Sequence, residues 1–468
     1  MNDLRKTEQR TISPVDGRVY VQRPFAAPGE IDATLQRARQ ALAAWREVPV
    51  AGRADIARRF ADSFERHGPE IAAELSWQMG RPIRFAPGEV RGTLERARYM
   101  IDAAPAALAD IEVGRKPGFT RFIRREPLGV VLTIAAWNYP YLIAVNSVVP
   151  AILAGNAVLL KHSAQTPLCA ERFAQCFREA GLPDGVFQFL HLTHADTGRV
   201  IRDTRVDFVA FTGSVAAGRA VQGAAADRFI GVGLELGGND PAYVRADADL
   251  RHAVENLVDG AFFNSGQSCC GIGRIYVHES LHARFVEAFV DLTNQYRLGN
   301  PLEPESTLGP VVRTDAAAAI RRTIAAAVHA GARPLIDTKR FTADDGQSAY
   351  VAPQVLVDVH HGMEVVREET FGPLVTLMKV SSDDEAIRLM NDSPYGLTAS
   401  VWTQDESAAL AIGGRVETGT WFMNRCDYLD PALAWVGVKD SGRGCTLSVV
   451  GFEHLTRPKS FHLRTTLT

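Results

Sequence analysis

Short apolar runs that alternate with helical patterns constrain the fold of this chain more than any other feature of its sequence. Residues 129–134 form a β-branched run without polar alternation, which is typical of a strand buried on both faces. A second run at 157–160 precedes a helical pattern at 168–180, and two more strand-like runs follow at 185–192 and 207–211. Strand–helix–strand alternation of this kind predicts a parallel sheet covered by helices on both faces.

The alternation begins again after residue 238 and predicts a second α/β unit. A helical pattern at 250–264 precedes a short strand at 274–277, and further strand-like runs lie at 375–380 and 399–402. A chain of 468 residues is long enough for two or three domains of ordinary size. The absence of a low-complexity linker predicts that these domains pack closely together.

Two short segments, 120–125 and 460–465, fit neither unit. Both read as extended and partly alternating, and both are rich in Arg and Thr. Strands of this kind at a domain margin could form an arm that pairs with another subunit. A solvated edge hairpin explains the same pattern, and spacing alone does not separate the two interpretations.

Composition narrows the partners and the compartment. Fifty-one basic and 54 acidic side chains give a formal charge of −3, without a basic stripe or an acidic tail, so we expect neither nucleic acid nor a membrane surface as partner. The most apolar window, 141–160, is interrupted by Asn146, Pro150 and Gly155, which argues against a membrane span. Six scattered cysteines and a polar N-terminus predict a reducing, cytoplasmic location without disulfides or a structural metal site.

A thiol and a carboxylate, each next to glycine, are the strongest candidates for catalysis. Cys269 closely follows Gly266, and Glu235 ends an apolar run just before Gly237. The thiolate is the nucleophilic form of cysteine, and burial raises the pKa of a carboxylate toward the range that suits a general base. Each residue also has a plainer interpretation, Cys269 as a buried small hydrophobe and Glu235 as a salt-bridged edge residue.

Three further positions follow predicted strands and could bind a ligand. Asn138 comes soon after the run 129–134, where the carboxyl end of a parallel strand faces ligands, and its amide could donate to a developing oxyanion. Gly213 and Ser214 stand at a strand-to-helix junction, where backbone N–H groups can approach a phosphate. Lys161 could bind a ribose or a phosphate. Ordinary turn chemistry or solvation explains each of them as well, and the GxGxxG fingerprint is absent.

Taken in order, these motifs resemble the aldehyde dehydrogenase superfamily over essentially the whole chain. The resemblance implies an α/β fold of three parts. These are a Rossmann-like parallel-sheet coenzyme domain (1–108 and 128–238), an α/β catalytic domain (239–445) and a small β oligomerisation arm (109–127 and 455–468). It also implies a homodimer or a homotetramer. Eight short motifs carry it: Trp137-Asn138-Tyr139-Pro140, Lys161 with Gln165-Thr166-Pro167, Phe211-Thr212-Gly213-Ser214, Glu235-Leu236-Gly237-Gly238, Gly266-Gln267-Ser268-Cys269, Glu368-Glu369-Thr370-Phe371-Gly372-Pro373, Ser393-Pro394-Tyr395-Gly396-Leu397 and Gly437-Val438-Lys439-Asp440-Ser441-Gly442.

The resemblance implies a role for each site residue in the oxidation of an aldehyde to a carboxylic acid with NAD(P)⁺. Cys269 would attack the aldehyde and carry a thiohemiacetal and then a thioester, Asn138 would donate to the oxyanion, and Glu235 would activate the water that hydrolyses the thioester. Predicted coenzyme contacts are Trp137, Lys161, Ser163, Ala164, Gly213, Ser214, Leu236, Glu369 and Phe371. Predicted residues of the aldehyde tunnel are Tyr139, Leu142, Asn146, Ser268, Cys270, Arg425, Asp427, Leu429 and Trp435.

The choice of coenzyme depends on position 164. Relatives that prefer NAD often carry a glutamate there, which binds the hydroxyls of the adenosine ribose, whereas this chain has Ala164. Without that carboxylate a 2′-phosphate meets no repulsion, and Lys161 and Ser163 could contact it. We therefore predict that NADP⁺ is accepted, alongside NAD⁺.

The nature of the aldehyde depends on Arg425. Our hypothesis is that its guanidinium binds the far carboxylate of a semialdehyde such as succinate semialdehyde through two hydrogen bonds. The alternative is that Arg425 pairs with Asp427 or Asp430 and only shapes the tunnel. Other functions that remain open are an acylating enzyme that passes the thioester to coenzyme A, a hydrolase that uses the same thiol, and a catalytically silent coenzyme-binding protein.

Overall fold

The computed structural model describes residues 7–467, within which helices and strands alternate. The helices are α1 (Pro28–Trp45), α2 (Val50–Arg66), α3 (Gly68–Met79), α4 (Ala86–Ala107), α5 (Pro140–Leu153), α6 (Pro167–Glu179), α7 (His194–Arg202), α8 (Val215–Ala225), α9 (Leu250–Phe262), α10 (Glu279–Thr293), α11 (Thr314–His329), α12 (Glu364–Arg367), α13 (Asp383–Asn391) and α14 (Glu406–Gly413). The strands are β1 (Glu8–Ile12), β2 (Val19–Pro24), β3 (Ile111–Glu112), β4 (Phe119–Pro127), β5 (Val130–Ala135), β6 (Ala157–His162), β7 (Phe187–Phe189), β8 (Phe208–Thr212), β9 (Gly231–Glu235), β10 (Asp240–Val244), β11 (Ile272–His278), β12 (Arg333–Pro334), β13 (Gln354–Val357), β14 (Leu374–Val380), β15 (Thr398–Trp402), β16 (Thr420–Met423), β17 (Gly442–Arg443) and β18 (Thr456–Arg464).

The first large sheet has the strand order β17-β9-β8-β5-β6-β7 and is parallel except for β17. Successive residues of a strand point to opposite faces, and both faces are covered here. Val131 packs in a core with residues of α2, α4 and α5, whereas Leu132 packs with residues of α1, α7 and α8. The predicted parallel sheet with helices on both faces is thus confirmed. Strand β7 is shorter than predicted, because it is an edge strand that pairs only with β6.

The second large sheet has the order β12-β13-β14-β11-β10-β15-β16 and is parallel except for β12. Its two faces also belong to different cores. Val244 and Ile275 pack with α9 and α10, whereas Tyr243 and Tyr276 pack with residues of α12, α13 and α14. This arrangement confirms the predicted second α/β unit.

The two segments that fitted neither unit pair with each other. Strand β18 runs antiparallel to β4 over nine residue pairs, from Thr456 opposite Pro127 to Arg464 opposite Phe119, and β3 adds to the other edge of β4. The rings of Phe122 and Phe461 stack across the pair with centroids 4.5 Å apart. The three strands therefore form a separate small sheet, whose predicted contact with another subunit stays a prediction.

Strand β17 links the C-terminal part of the chain to the first sheet. The sequence placed Gly442 and Arg443 with the second unit, yet they pair antiparallel with Glu235 and Leu234 of β9. Gly442 has a φ of 125°, and a Cβ there would lie 2.0 Å from the carbonyl oxygen of Leu234, so this crossing requires glycine. Among residues 7–467 there is no helix long and apolar enough to cross a membrane.

Candidate active site

A left-handed turn places Cys269. Helix α9 ends two residues before its predicted end, because Asn264 and Ser265 take φ values of 55° and 57°. Gly266 follows with a φ of 68°, and a Cβ there would lie 2.1 Å from the carbonyl oxygen of Gly372. The chain thus passes directly against the loop before β14, where only glycine fits, and then presents Cys269 half-buried.

Glu235 is held at the end of β9 by two hydroxyl groups. The Thr446 hydroxyl donates to Oε1 at 2.5 Å, and the Thr212 hydroxyl donates to Oε2 at 3.4 Å. Burial raises the pKa of Glu235, while these hydrogen bonds and the positive charge of Arg96 act in the opposite direction. No Lys, Arg or His of the described chain lies within ion-pair distance of it, so Glu235 is not a salt-bridged edge residue.

Asn138 is tied to the same turn. Its side chain is buried, with 4% of the residue exposed, and its Nδ2 donates to the Gln267 carbonyl oxygen at 3.2 Å. The Asn138 carbonyl oxygen accepts hydrogen bonds from Arg81 Nη2 at 2.6 Å and from Asn264 Nδ2 at 3.2 Å. The segment that follows β5 and the cysteine turn therefore hold each other in place.

Cys269 and Glu235 line one cavity of about 430 Å³. Predicted tunnel residues that also line it are Tyr139, Leu142, Asn146, Cys270, Asp427, Leu429 and Trp435, and the predicted coenzyme contact Leu236 lies on its wall too. The other wall is one that the sequence reasoning missed, and it is formed by α4 and the loop before it with Arg81, Phe85, Glu89, Arg91, Gly92, Glu95 and Arg96. The structure thus brings the predicted nucleophile and the predicted base to the wall of one cavity.

Two predicted tunnel residues do not line the cavity. Ser268 is buried behind it and donates to Asp427 Oδ1 at 2.9 Å, an atom to which the Cys270 thiol also donates at 2.9 Å. Arg425 is exposed, and its guanidinium lies 3.5 Å from the ring centroid of Tyr428. The expected place of Arg425 in the tunnel lining is therefore wrong, although the Tyr428 ring on which it lies does line the cavity. Within residues 7–467 Arg425 forms no ion pair with Asp427 or Asp430.

Several predicted coenzyme residues meet near the turn. The Trp137 and Phe371 rings contact edge to face with centroids 5.5 Å apart. Glu369 accepts a hydrogen bond from the Gly238 N–H at 3.1 Å, and burial raises the pKa of its carboxyl to about 7. These three side chains join the loop after β5, the loop before β14 and the glycine turn after β9.

The remaining predicted coenzyme residues follow β6 and β8. Lys161 is buried, burial lowers its pKa to about 8, and it has no hydrogen-bond or ion-pair partner among residues 7–467. Ser163 Oγ accepts the Gln165 N–H, and the Ala164 side chain is a methyl group. Ser214 caps α8 by accepting the Ala217 N–H at 3.3 Å, and Gly213 precedes it. A groove of about 540 Å³ runs beside α8 and reaches Leu236.

The six cysteines are all free thiols that lie within the described chain. A hydrogen bond with Cys269 together with burial raises the pKa of Cys270, and burial raises the pKa of Cys176 and of Cys445 to about 11. Cys269 is the partly exposed thiol that lines the cavity, whereas Cys270 is buried in the cavity wall and Cys176 and Cys445 lie elsewhere. No group of three His, Cys, Asp or Glu side chains between residues 7 and 467 is placed to hold a metal ion.

Comparison with known proteins agrees with this geometry. The model of the aldehyde dehydrogenase family matches residues 2–461. Succinate semialdehyde dehydrogenase [NAD(P)+] Sad of Escherichia coli is 34% identical over 445 residues, which cover 95% of this chain and 96% of that protein. Succinate-semialdehyde dehydrogenase [NADP(+)] 1 of Mycobacterium tuberculosis is 33% identical over 455 residues, 96% of this chain and 98% of that protein.

A solved structure extends the likeness to three dimensions. The succinic semialdehyde dehydrogenase of Streptococcus pyogenes, in complex with NADP⁺, superimposes with a TM-score of 0.92 at 27% identity. The superposition covers 97% of this chain and 100% of that one. The fold, the shared cavity and the sequence match agree: this chain belongs to the aldehyde dehydrogenase family.

Proposed function

We propose that this chain oxidises an aldehyde to a carboxylic acid with NAD(P)⁺, using Cys269 as the nucleophile and Glu235 as the base. The observation that carries the proposal is the single cavity of about 430 Å³ that both side chains line. Asn138 is anchored by a hydrogen bond to the carbonyl of Gln267 in the turn that presents Cys269. A nucleophile, a base and an amide donor at one cavity are what acyl chemistry on a carbonyl group requires.

The first step is attack of the Cys269 thiolate on the aldehyde carbon. A carbon–sulfur bond forms, and the carbonyl oxygen becomes an oxyanion. The Asn138 amide has two N–H donors and uses one for Gln267, so the other can bind that oxyanion together with the Cys269 backbone N–H. A bound NAD(P)⁺ would supply the hydride acceptor, so that the oxyanion carbon loses a hydride and a thioester on Cys269 remains.

The second step is hydrolysis of this thioester. Burial raises the pKa of Glu235, so its carboxylate is a stronger base than an exposed glutamate. Thr446 and Thr212 hold the carboxylate at the cavity, where it can take a proton from water that attacks the thioester. The carbon–sulfur bond then breaks, which releases the carboxylic acid and returns Cys269 to its thiolate. A base on the cavity favours hydrolysis over transfer of the acyl group to coenzyme A.

The residues that would hold the coenzyme fit a dinucleotide. Lys161 is buried and has no partner in the described part of the chain, and a phosphate or ribose oxygen would satisfy its ammonium group. Glu369 could accept hydrogen bonds from ribose hydroxyls. Since Ala164 places no carboxylate beside a 2′-phosphate, we infer that NADP⁺ is accepted alongside NAD⁺. The names of the two curated relatives, which specify NAD(P)+ and NADP(+), support this inference.

We further propose that the small sheet of β3, β4 and β18 joins subunits into a homodimer or a homotetramer in the cytoplasm. Two apolar side chains of this sheet are exposed to solvent, Leu463 on β18 and Ile111 on β3. They support a contact surface for another subunit. Light scattering after size-exclusion chromatography measures the assembly. A monomeric chain at micromolar concentration would contradict this part of the proposal.

A rapid-mixing experiment tests the catalytic roles. Wild type, Cys269→Ala and Glu235→Gln are mixed with an aldehyde and each coenzyme while the absorbance of reduced nicotinamide is followed. We expect no reduction with Cys269→Ala. Glu235→Gln should produce at most one equivalent per site and then stall, because the thioester is not hydrolysed. Cys176→Ala, a buried cysteine of α6, is the matched control and should turn over.

The same experiment separates the alternatives. Steady turnover by Cys269→Ala, or full turnover by Glu235→Gln, would contradict the assigned roles. A requirement for coenzyme A would indicate the acylating reaction. Ester cleavage without coenzyme reduction would indicate a hydrolase, and coenzyme binding without either reaction would indicate a silent binding protein.

A further inference from the structure

The α4 wall of the cavity contains a buried arginine, Arg96, for which the described residues provide no acidic partner. Arg96 lines the cavity, and only 8% of the residue is exposed. Its Nη1 donates to the Leu142 carbonyl oxygen at 2.9 Å and to Asn146 Oδ1 at 3.2 Å. Its Nε and Nη2 donate to no group among residues 7–467, and no carboxylate of this part of the chain lies within ion-pair distance.

Within residues 7–467, the other two arginines that line the cavity are either paired with a carboxylate or exposed to solvent. Arg81 forms a buried ion pair with Glu89, whose other oxygen accepts the backbone N–H of Tyr141 at 2.8 Å. Glu89 is therefore already occupied and is not a partner for Arg96. Arg91 is exposed to solvent. Among the described lining residues, Arg96 is thus the buried cation that still has open N–H donors.

The acidic groups of the cavity do not satisfy Arg96 either. Glu95 and Asp259 are exposed, and Glu95 accepts a hydrogen bond from Tyr428. Asp427 accepts hydrogen bonds from Ser268 and Cys270, and burial raises its pKa to about 7. Burying an unpaired charge is costly, and an anionic group on a ligand would provide the missing partner.

We propose that Arg96 is the specificity-determining residue that binds the far carboxylate of a semialdehyde substrate. The inference rests on the proposed function, because Cys269 must hold the aldehyde end of the same molecule. Arg96, Cys269 and Glu235 line the same cavity of about 430 Å³, so one short substrate can contact Cys269 and Arg96 together. Two free N–H donors on one guanidinium match the two oxygens of a carboxylate. Arg96 thus takes the role that the sequence hypothesis gave to Arg425.

The test compares two aldehydes of equal chain length, succinate semialdehyde and butanal, which differ in the terminal carboxylate. The quantity measured is the ratio of their kcat/KM values with a saturating coenzyme. We expect wild type to favour the semialdehyde, and Arg96→Met to lower the ratio about 10- to 100-fold, the range for a charge-assisted hydrogen-bonded pair. Arg96→Lys keeps the positive charge but loses the two parallel N–H donors of the guanidinium, so it should retain part of the preference. Succinate should inhibit wild type more strongly than butyrate does, and this preference should be smaller in Arg96→Lys and smallest in Arg96→Met. Inhibition gives a readout that does not depend on turnover of the aldehyde.

Two arginine variants serve as controls. Arg98→Met lies on the same helix, but Arg98 points outward and pairs with Glu65, so the ratio should stay within about twofold of wild type. Arg425→Met should also change the ratio little, because Arg425 lies on Tyr428 outside the cavity. Thermal melting shows whether each variant is folded. If Arg96→Met does not fold, the comparison is made with Arg96→Lys.

Three outcomes would overturn the inference. Unchanged kcat/KM values for both aldehydes in both Arg96 variants mean that Arg96 does not contact the carboxylate. An equal loss for both aldehydes means that Arg96 only supports the charges of Cys269 and Glu235. If wild type oxidises butanal as well as the semialdehyde, the carboxylate site is rejected and the proposed function stands. If wild type oxidises neither of these aldehydes nor any other in a wider panel, the proposed function itself is contradicted.

Discussion

Replacement of Thr446 by valine should shift the pH dependence of thioester hydrolysis. The Thr446 hydroxyl donates to Glu235 Oε1 at 2.5 Å, and valine keeps the shape of threonine but has no donor. Burial raises the pKa of Glu235, and this hydrogen bond to the charged carboxylate lowers it. Removing the donor leaves the weaker contact from Thr212 at 3.4 Å, so the pKa of Glu235 should rise further.

The size of the shift follows from the energy of the hydrogen bond. A hydrogen bond to a charged group contributes about 1.5–3 kcal/mol, and one pKa unit corresponds to about 1.4 kcal/mol. The pKa of Glu235 should therefore rise by about 1–2 units in Thr446→Val. Glu235 acts as a base only when it is deprotonated. The acidic limb of the rate of hydrolysis should accordingly move to higher pH by the same amount, and each unit costs tenfold in rate below the limb.

The assay follows steady turnover and the initial burst of reduced coenzyme between about pH 5 and pH 9. Thr446→Ser restores the hydroxyl and should return the limb toward its wild-type position. The burst should shift less than the steady rate, because Cys269 attack does not use Glu235 as the base for water. A limb that stays in place or moves to lower pH in Thr446→Val would refute the argument, as would a serine variant that behaves like valine.

Three other predictions concern the oxyanion, the crossing strand and the coenzyme. Asn138→Ala should lower kcat about 10²- to 10³-fold, as loss of an oxyanion donor does elsewhere, and a loss below threefold in steady-state kinetics would contradict its role. Gly442→Ala should reduce the free energy of unfolding by more than about 1 kcal/mol, because the new Cβ would meet the Leu234 carbonyl at a positive φ. In chemical denaturation Gly29→Ala, at a helix position with open space, should not destabilise the chain. Ala164→Glu should lower the kcat/KM for NADP⁺ relative to NAD⁺ by at least about tenfold, through repulsion of the 2′-phosphate, and an unchanged ratio would exclude contact at position 164.

The features that the sequence predicted well depend on short-range patterns. The buried run that became β5 has six apolar or small residues in succession, and the strand is buried along its whole length. Cys269 and Glu235 could be found because glycines beside them mark places where backbone passes close to backbone. In the structure Gly266 does lie against Gly372, where a side chain would not fit.

The sequence did not predict that α4 lines the cavity, because α4 contains no recognisable motif. Arg96 lies four residues before Met100 and one before Ala97, on the face of α4 that is buried. The sequence does contain one signal for Arg96: it is a charged residue at a position where the helical pattern of α4 predicts a buried apolar one. Only the packing of α4 against α5 places this face on the cavity, and that contact joins residues about fifty positions apart.

The error at Arg425 has a local backbone cause. Asn424 has a φ of 56° and Asp427 a φ of 47°, so the chain takes two left-handed turns within four residues. Asp427 then faces Ser268 and Cys270, while Arg425 turns outward onto Tyr428. A motif gives the order of residues but not which side of such a turn each of them occupies.

Because β17 arrives from residues 442–443, a polypeptide that stops short of them has a different first sheet. Strand β9 would then be an unpaired edge, with open N–H and C=O groups that invite association with another chain. Thr446, which holds Glu235, comes from the same late segment. A chain that ends before residue 442 would therefore combine an exposed sheet edge with a Glu235 side chain that lacks its shorter hydrogen bond.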